Sequence, residues 1–215
     1  MQNPHTLNIA LHVAAGAVAL ALGLIALLSR KGGRLHRLTG WLFVMAGCVG
    51  LVCAVIGVVL YPQPGALVMA TVSAGYQYIS GLRALPRFRQ TPGWLDAGLA
   101  MAALAACGGL LMRLTSGSAS WPPAVGYATL GFLSLVALYD LSRPLWRQTW
   151  QRIRAIDHGL KMTGTWFAFA SAGLGNLLRG GQPWSQILPS MIGMVVMLLL
   201  LVRHIRDKGG VRSET

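Results

Sequence analysis

Seven stretches of nearly unbroken apolar sequence make up most of the chain, over 6–29, 38–60, 66–85, 94–114, 124–141, 159–178 and 187–202. Each is close to the ~20 residues that a helix needs to cross a hydrocarbon core. Backbone groups in hydrocarbon must be bonded within their own segment, so each stretch is expected to be an α-helix. The joints are short and rich in breakers: Gly32-Gly33, Pro62 and Pro64, Pro92-Gly93, Pro122-Pro123, Pro144, and Gly180-Gly181 with Pro183. The pattern predicts an all-α polytopic bundle, one transmembrane domain over 1–206 followed by a mobile cytoplasmic tail, 207–215.

Composition sharpens that picture. Of 215 residues, 54% are hydrophobic and 11% charged, against roughly 25% charged in a soluble domain. A soluble enzyme is excluded on that ground, and no length is left for a separate aqueous domain. The formal net charge is +13, which in a soluble protein would suggest nucleic acid. Here the basic residues fall between the apolar runs instead. One set of joints holds Arg30, Lys31, Arg34 and Arg37, then Arg83, Arg87 and Arg89, then Arg143, Arg147, Arg152 and Arg154, then Arg203, Arg206, Lys208 and Arg212; the other holds only Arg113 and Arg179. Lys161, one turn into the sixth stretch, completes the set. This alternation predicts the N-terminus outside and the C-terminus in the cytoplasm of a bacterial inner membrane, with the lipid bilayer as partner and nucleic acid excluded.

Residues 1–6 carry no Lys or Arg, so the first stretch is expected to remain as an anchor rather than act as a cleaved signal. Cys48, Cys53 and Cys107 lie inside apolar runs without metal-ligand spacing and read as small packing residues. Trp41, Trp94, Trp121, Trp146, Trp150 and Trp184 stand near helix ends, where an indole prefers the headgroup level. Residues 146–156 mix Trp, Ile and Arg and fit either a short interfacial helix or a basic loop.

Ionisable residues within spans are the default candidates for function. His12 is the deepest, about 9 Å below the outer end of the first helix at 1.5 Å per residue. It shares a face with Gly16, Ala19 and Gly23, and the second helix carries a matching stripe of His36, Gly40, Gly47, Gly50 and Gly57. Close packing of a helical hairpin is the favoured reading; room for a flat ligand is the other. His36 and His158 open the second and sixth helices at similar depth, making them candidate axial ligands of one haem b at the inner leaflet. His12 stands about 20 Å away along the normal and is excluded from that site.

A second polar group gathers at the cytoplasmic ends, His36, Tyr76, Gln77, Tyr78, Asp96, Asp140, Asp157, His158, Lys161 and His204, and converges if the bundle is compact; the stronger reading is that Asp96 and Asp140 only pair with loop arginines. His204, between Arg203 and Arg206, is expected to be solvated. Asn176 closes the sixth helix on the face of His158, Met162, Thr165, Phe169 and Ala172, at a level where it could bond His12. Met191, Met194 and Met197 are imaginable copper ligands but more often filler. Walker, H-E-x-x-H and G-x-S-x-G patterns are absent, which disfavours ATP-driven and hydrolytic chemistry.

The run from LHVAAGAVALALG to RLHRLTGWLFV resembles an uncharacterised family of bacterial multi-pass membrane proteins with a first-helix His and a His-Arg pair opening the second helix. YQYISGLRAL, WLDAGLA and DHGLKMTGTWFAFASAGLGN resemble the later helices of its seven-span members. The resemblance implies His12, His36, Arg37, His158, Met162 and Asn176 as matched positions and brings no activity or cofactor. Lys161 stands where the family pattern is expected to have Arg, so no planar guanidinium is available there. Three functions follow as expectations: a haem b or quinone redox module using His36 and His158, a small-molecule transporter using His12, Asn176 and the Tyr-Gln cluster, or a non-catalytic receptor or assembly partner.

Overall fold

The computed structural model describes residues 3–61, 65–85, 92–117 and 122–212, with side chains through Arg206. Trp121, Arg87, Arg89 and the side chains of Lys208 and Arg212 lie outside the described residues, so their expected roles are not located. Among the described residues the chain is helical without strands: α1 Pro4–Leu28, α2 Arg34–Leu60, α3 Gly65–Arg83, α4 Trp94–Thr115, α5 Pro123–Ser142, α6 Arg147–Leu177 and α7 Trp184–Arg212. Five helical stretches are long and apolar enough to cross a membrane. Two of the seven sequence stretches are not counted separately: α5 and α6 run on as one stretch, Pro123–Leu177, and α3 does not qualify.

The failure of α3 has a physical cause. Its buried positions include Ser73, Tyr76, Gln77, Tyr78 and Ser80. These polar groups find partners inside the protein, Tyr76 and Ser80 on α5, Gln77 on Ser73 of α3 itself and Tyr78 on α2, so α3 needs less apolar surface than its neighbours. Around it, the buried residues of α4 recur as Ala100, Ala103, Cys107, Leu110 and Leu114, and those of α5 as Gly126, Leu130, Leu133, Ala137 and Asp140. Steps of three and four place them on one stripe per helix, the seam that packs helices side by side. Large aliphatic side chains point outward, among them Leu28, Val59, Leu60 and Leu199. An apolar exterior around a partly polar interior suits a lipid solvent.

Two boundaries differ from the sequence expectation. Residues 147–158 continue into α6 as regular helix after a 3-10 turn at Arg143–Trp146, so 146–156 is neither a separate interfacial helix nor a loop. The reason is a buried stripe of Trp150, Asp157, Lys161 and Gly164, which packs the entire helix against its neighbours. Likewise α7 extends to Arg212, beyond both the expected end at Val202 and the start of the expected mobile tail.

Helices α1 and α2 form a hairpin around a tight joint. Gly32 adopts φ +76° there, a conformation natural only to glycine. The carbonyl of Ala26, near the end of α1, accepts from Ser29 Oγ at 3.0 Å, Lys31 Nζ at 3.3 Å and His36 Nδ1 at 2.9 Å. These donors supply the partners that a helix C-terminus lacks.

Candidate functional site

Helix α6 carries two different polar arrangements on adjacent faces, about 100° apart around its axis. On one face Asp157 and Lys161 meet Asp140, near the end of α5, and Arg143, the first residue of the 3-10 turn that follows it. Lys161 Nζ stands 2.5 Å from Asp140 Oδ1 and 3.0 Å from Asp157 Oδ1. Arg143 Nη2 lies 2.5 Å from Asp140 Oδ1, and its Nη1 3.6 Å from Asp157 Oδ2. All four residues are at most 5% exposed. Two acids thus balance two bases, which is what burial of charge demands.

Neutral donors fill the remaining oxygen positions. Tyr76 Oη donates to Asp140 Oδ2 at 2.8 Å, and the Ser80 hydroxyl donates to the same oxygen. Trp150 Nε1 donates to Asp157 Oδ2 at 3.0 Å. Arg143 also donates to Ser80 Oγ at 2.9 Å. Among its donors only Arg143 Nε is buried without a partner among the described residues. Two expectations change here. Asp140 does pair with Arg143, an arginine between the fifth and sixth stretches, but at the centre of a buried network rather than at the surface, and Trp150 is packed inside rather than at the headgroup level. Asp96 does pair as expected, with Arg83 at 2.7 and 2.9 Å, and also accepts from the Gly93 backbone at 3.0 Å.

On the neighbouring face of α6, His158 and Met162 line a groove shared with α1, α2 and α7. Its volume is about 520 Å³, within the range of pockets that take cofactors and other small ligands. Gly23, Gly40, Trp41, Phe43, Trp166 and Leu200 provide much of its apolar wall. His36, His158 and His204 all face it, and Lys31 and Arg37 stand beside them. No carboxylate lines it among the described residues.

The histidine hydrogen bonds settle which nitrogen is available. His36 Nδ1 lies 2.9 Å from the Ala26 carbonyl and His158 Nδ1 lies 2.8 Å from the Gly81 carbonyl. A carbonyl can only accept, so each Nδ1 carries a proton and Nε2 is the nitrogen left outside that bond. A histidine held through Nδ1 by a carbonyl is the usual arrangement of a metal-ligating imidazole. His204 Nε2 is buried without a partner, so the expectation that His204 is solvated does not hold. The cause is the stripe Gly193, Met197, Leu200 and His204, which turns that side of α7 toward α6: Gly193 meets Phe167, and Met197 approaches Gly164.

The glycine stripes of α1 and α2 divide between the two readings given above. In one half, Gly50 comes within 3.8 Å of the Gly16 backbone, measured from the position a Cβ would take, and His12 Nδ1 bonds the Gly50 carbonyl at 2.8 Å. There the glycines serve close packing. In the other half, Gly40 has nothing within 4 Å of its Cβ position and opens on the groove, while Gly23 is covered by Trp166 and Phe43.

The other sequence candidates do not converge. Asn176 is exposed and donates to Ala172 of its own helix at 2.9 Å, so the expected bond to His12 is not made. Gln77 reaches Ser73 at 3.4 Å and Tyr78 donates to the Val44 carbonyl at 2.5 Å. Met191 and Met194 are exposed while Met197 faces α6, so they form no common ligand set. Among the described residues, no three His, Cys, Asp or Glu side chains stand close enough to hold a bare metal ion. No protein-family model, curated protein or solved structure matches the chain.

Proposed function

We propose that the chain is a bacterial inner-membrane protein of the resembled multi-pass family, crossing the bilayer seven times with its N-terminus outside. In this reading it binds a planar redox cofactor, haem b or a quinone, in the groove between α1, α2, α6 and α7. Five apolar stretches support the membrane assignment directly. The two further crossings come from counting α3, whose polar face is satisfied internally, and from dividing the continuous α5–α6 stretch at the Arg143–Trp146 turn. The orientation follows from the clustering of Lys and Arg on alternate joints.

The observation that carries the cofactor reading is the pair His36 and His158 on one apolar groove, each with Nδ1 occupied by a carbonyl and Nε2 available. Such imidazoles can ligate a haem iron axially or accept a hydrogen bond from a reduced quinone. A bound haem would supply one-electron exchange between ferric and ferrous iron. The residues of this chain supply ligation, an apolar wall and, through Trp41, Phe43 and Trp166, flat surfaces for a planar ring.

The transport reading needs His12, Asn176 and the Tyr-Gln cluster to share a site, and their separate hydrogen bonds give it no support. The test is the optical spectrum and the organic extract of protein purified from haem-replete cells. A Soret band lost in His36→Ala and His158→Ala, or a stoichiometric quinone lost in the same variants, is expected. Protein that carries neither and takes up neither on titration would contradict the proposal.

A further inference from the structure

The groove has a pronounced charge bias. Five of its lining side chains, Lys31, His36, Arg37, His158 and His204, are basic or can become so, and none is acidic among the described residues. Lys31 and Arg37 are exposed, so they stand at the solvent-facing rim of the groove rather than inside it. The buried cations Arg143 and Lys161, by contrast, are answered by Asp140 and Asp157.

The two permanent cations sit at the joint of the α1–α2 hairpin. Lys31 spends part of its donor capacity on the carbonyls of Ala26 at 3.3 Å and Leu27 at 2.5 Å, which fixes its ammonium beside the groove with further donor capacity left. Partial burial lowers the Lys31 ammonium below the ordinary lysine range, a shift that an anionic neighbour would reverse. Arg37 follows His36 directly and lines the same groove. The other wall carries His204, with its buried and unpartnered Nε2.

Resting on the cofactor reading above, we infer that the groove selects a carboxylate-bearing porphyrin over a neutral ring, with Lys31 and Arg37 receiving the carboxylates while His36 and His158 face the macrocycle. A neutral quinone would leave both cations unanswered, whereas the two propionates of haem b match them in number and sign. Guanidinium and ammonium groups at a water-accessible rim bind carboxylates by charge-assisted hydrogen bonds. A single-chain fatty acid shares the carboxylate chemistry but has no use for the paired imidazoles.

The experiment titrates the full-length protein in detergent with haem b and with its dimethyl ester, followed by absorption. Ester binding at least about ten-fold weaker than haem is expected in the unmodified chain, in line with the loss of charge-assisted bonds. In the K31Q/R37Q variant that difference is expected to shrink to within about two-fold, with the low-spin spectrum retained. Added oleate is expected to leave haem binding unchanged. Equal binding of haem and ester in the unmodified chain would overturn the inference while leaving the cofactor reading intact, and that comparison needs no variant to fold. A preference that persists in K31Q/R37Q, or displacement of haem by stoichiometric oleate, would also overturn it. Failure of both porphyrins to bind would instead remove a haem site, and this inference with it.

Discussion

The two faces of α6 show how similar residue types serve opposite ends. Asp157 and Lys161 point into a network where nearly every donor and acceptor has a partner and the charges cancel. His158 and Met162, displaced by one residue each, point into a groove lined by three histidines and, at its rim, Lys31 and Arg37, with no carboxylate among the described residues. A satisfied polar cluster is a device for fixing helices; an unsatisfied one of uniform sign is an invitation to a ligand. The distinction separates what holds this protein together from what it is built to hold.

That contrast breaks most sharply under substitution of the network. Lys161→Met leaves Asp140, Asp157 and Arg143 buried with unequal charge, and Asp140→Asn does the reverse. Each is expected to lower stability by roughly 3–5 kcal/mol, the usual consequence of removing one partner from a buried ion pair. Reversible unfolding of the detergent-solubilised protein measures it. A loss below about 1 kcal/mol, the level of exposed pairs, would mean that the network is hydrated and the contrast false.

Next in size is the tight approach of α3 to α6 that joins the two faces. A Cβ on Gly81 would lie 2.8 Å from Met162 Sδ and 3.1 Å from Lys161 Cβ. Gly81→Ala is therefore expected to cost about 1–3 kcal/mol through overpacking. It should also disturb the His158 bond, since the Gly81 carbonyl is its acceptor. Gly40→Leu sharpens the comparison from the other side. It fills open groove rather than packed interior, so cofactor uptake should fall while stability is not lowered, the helix propensity gained over glycine being favourable. A large destabilisation would show that the groove closes in solution.

Among the ion pairs the smallest loss is expected at Asp96→Asn. Asp96 is buried, but its partner Arg83 is 22% exposed, so the pair gains little from low dielectric. A loss of about 1 kcal/mol is expected, shared with the helix-start bond to Gly93. A cost equal to that of Lys161→Met would place this pair in the same class as the central network.

Much of this was legible in the sequence because hydrocarbon imposes a coarse rule: long apolar runs, punctuated by Gly and Pro, become helices. His36 and His158 were readable as a pair from their depth alone, and they do line one groove. What escaped depends on helix faces meeting in three dimensions. Asp140 and Arg143 are three apart, and Asp157 and Lys161 four apart, spacings that put each pair on one face. That the two pairs interlock is a tertiary fact without a local signal. His204 was misplaced because its neighbours Arg203 and Arg206 suggest solvent, although Gly193, Met197, Leu200 and His204 recur at steps of four, three and four. His12 was assigned a partner by depth, but the glycine at position 50 brought a backbone carbonyl closer than any side chain.

The central claim is that the groove, and not the charged network, is the ligand site. Its most direct test is a haem b titration of the parent protein, His158→Ala and Lys161→Met, read from absorption spectra under conditions where all three remain folded. The parent is expected to bind one equivalent with a low-spin spectrum, Lys161→Met to retain it, and His158→Ala to lose it. Binding lost in Lys161→Met yet unaffected by His158→Ala would contradict the account.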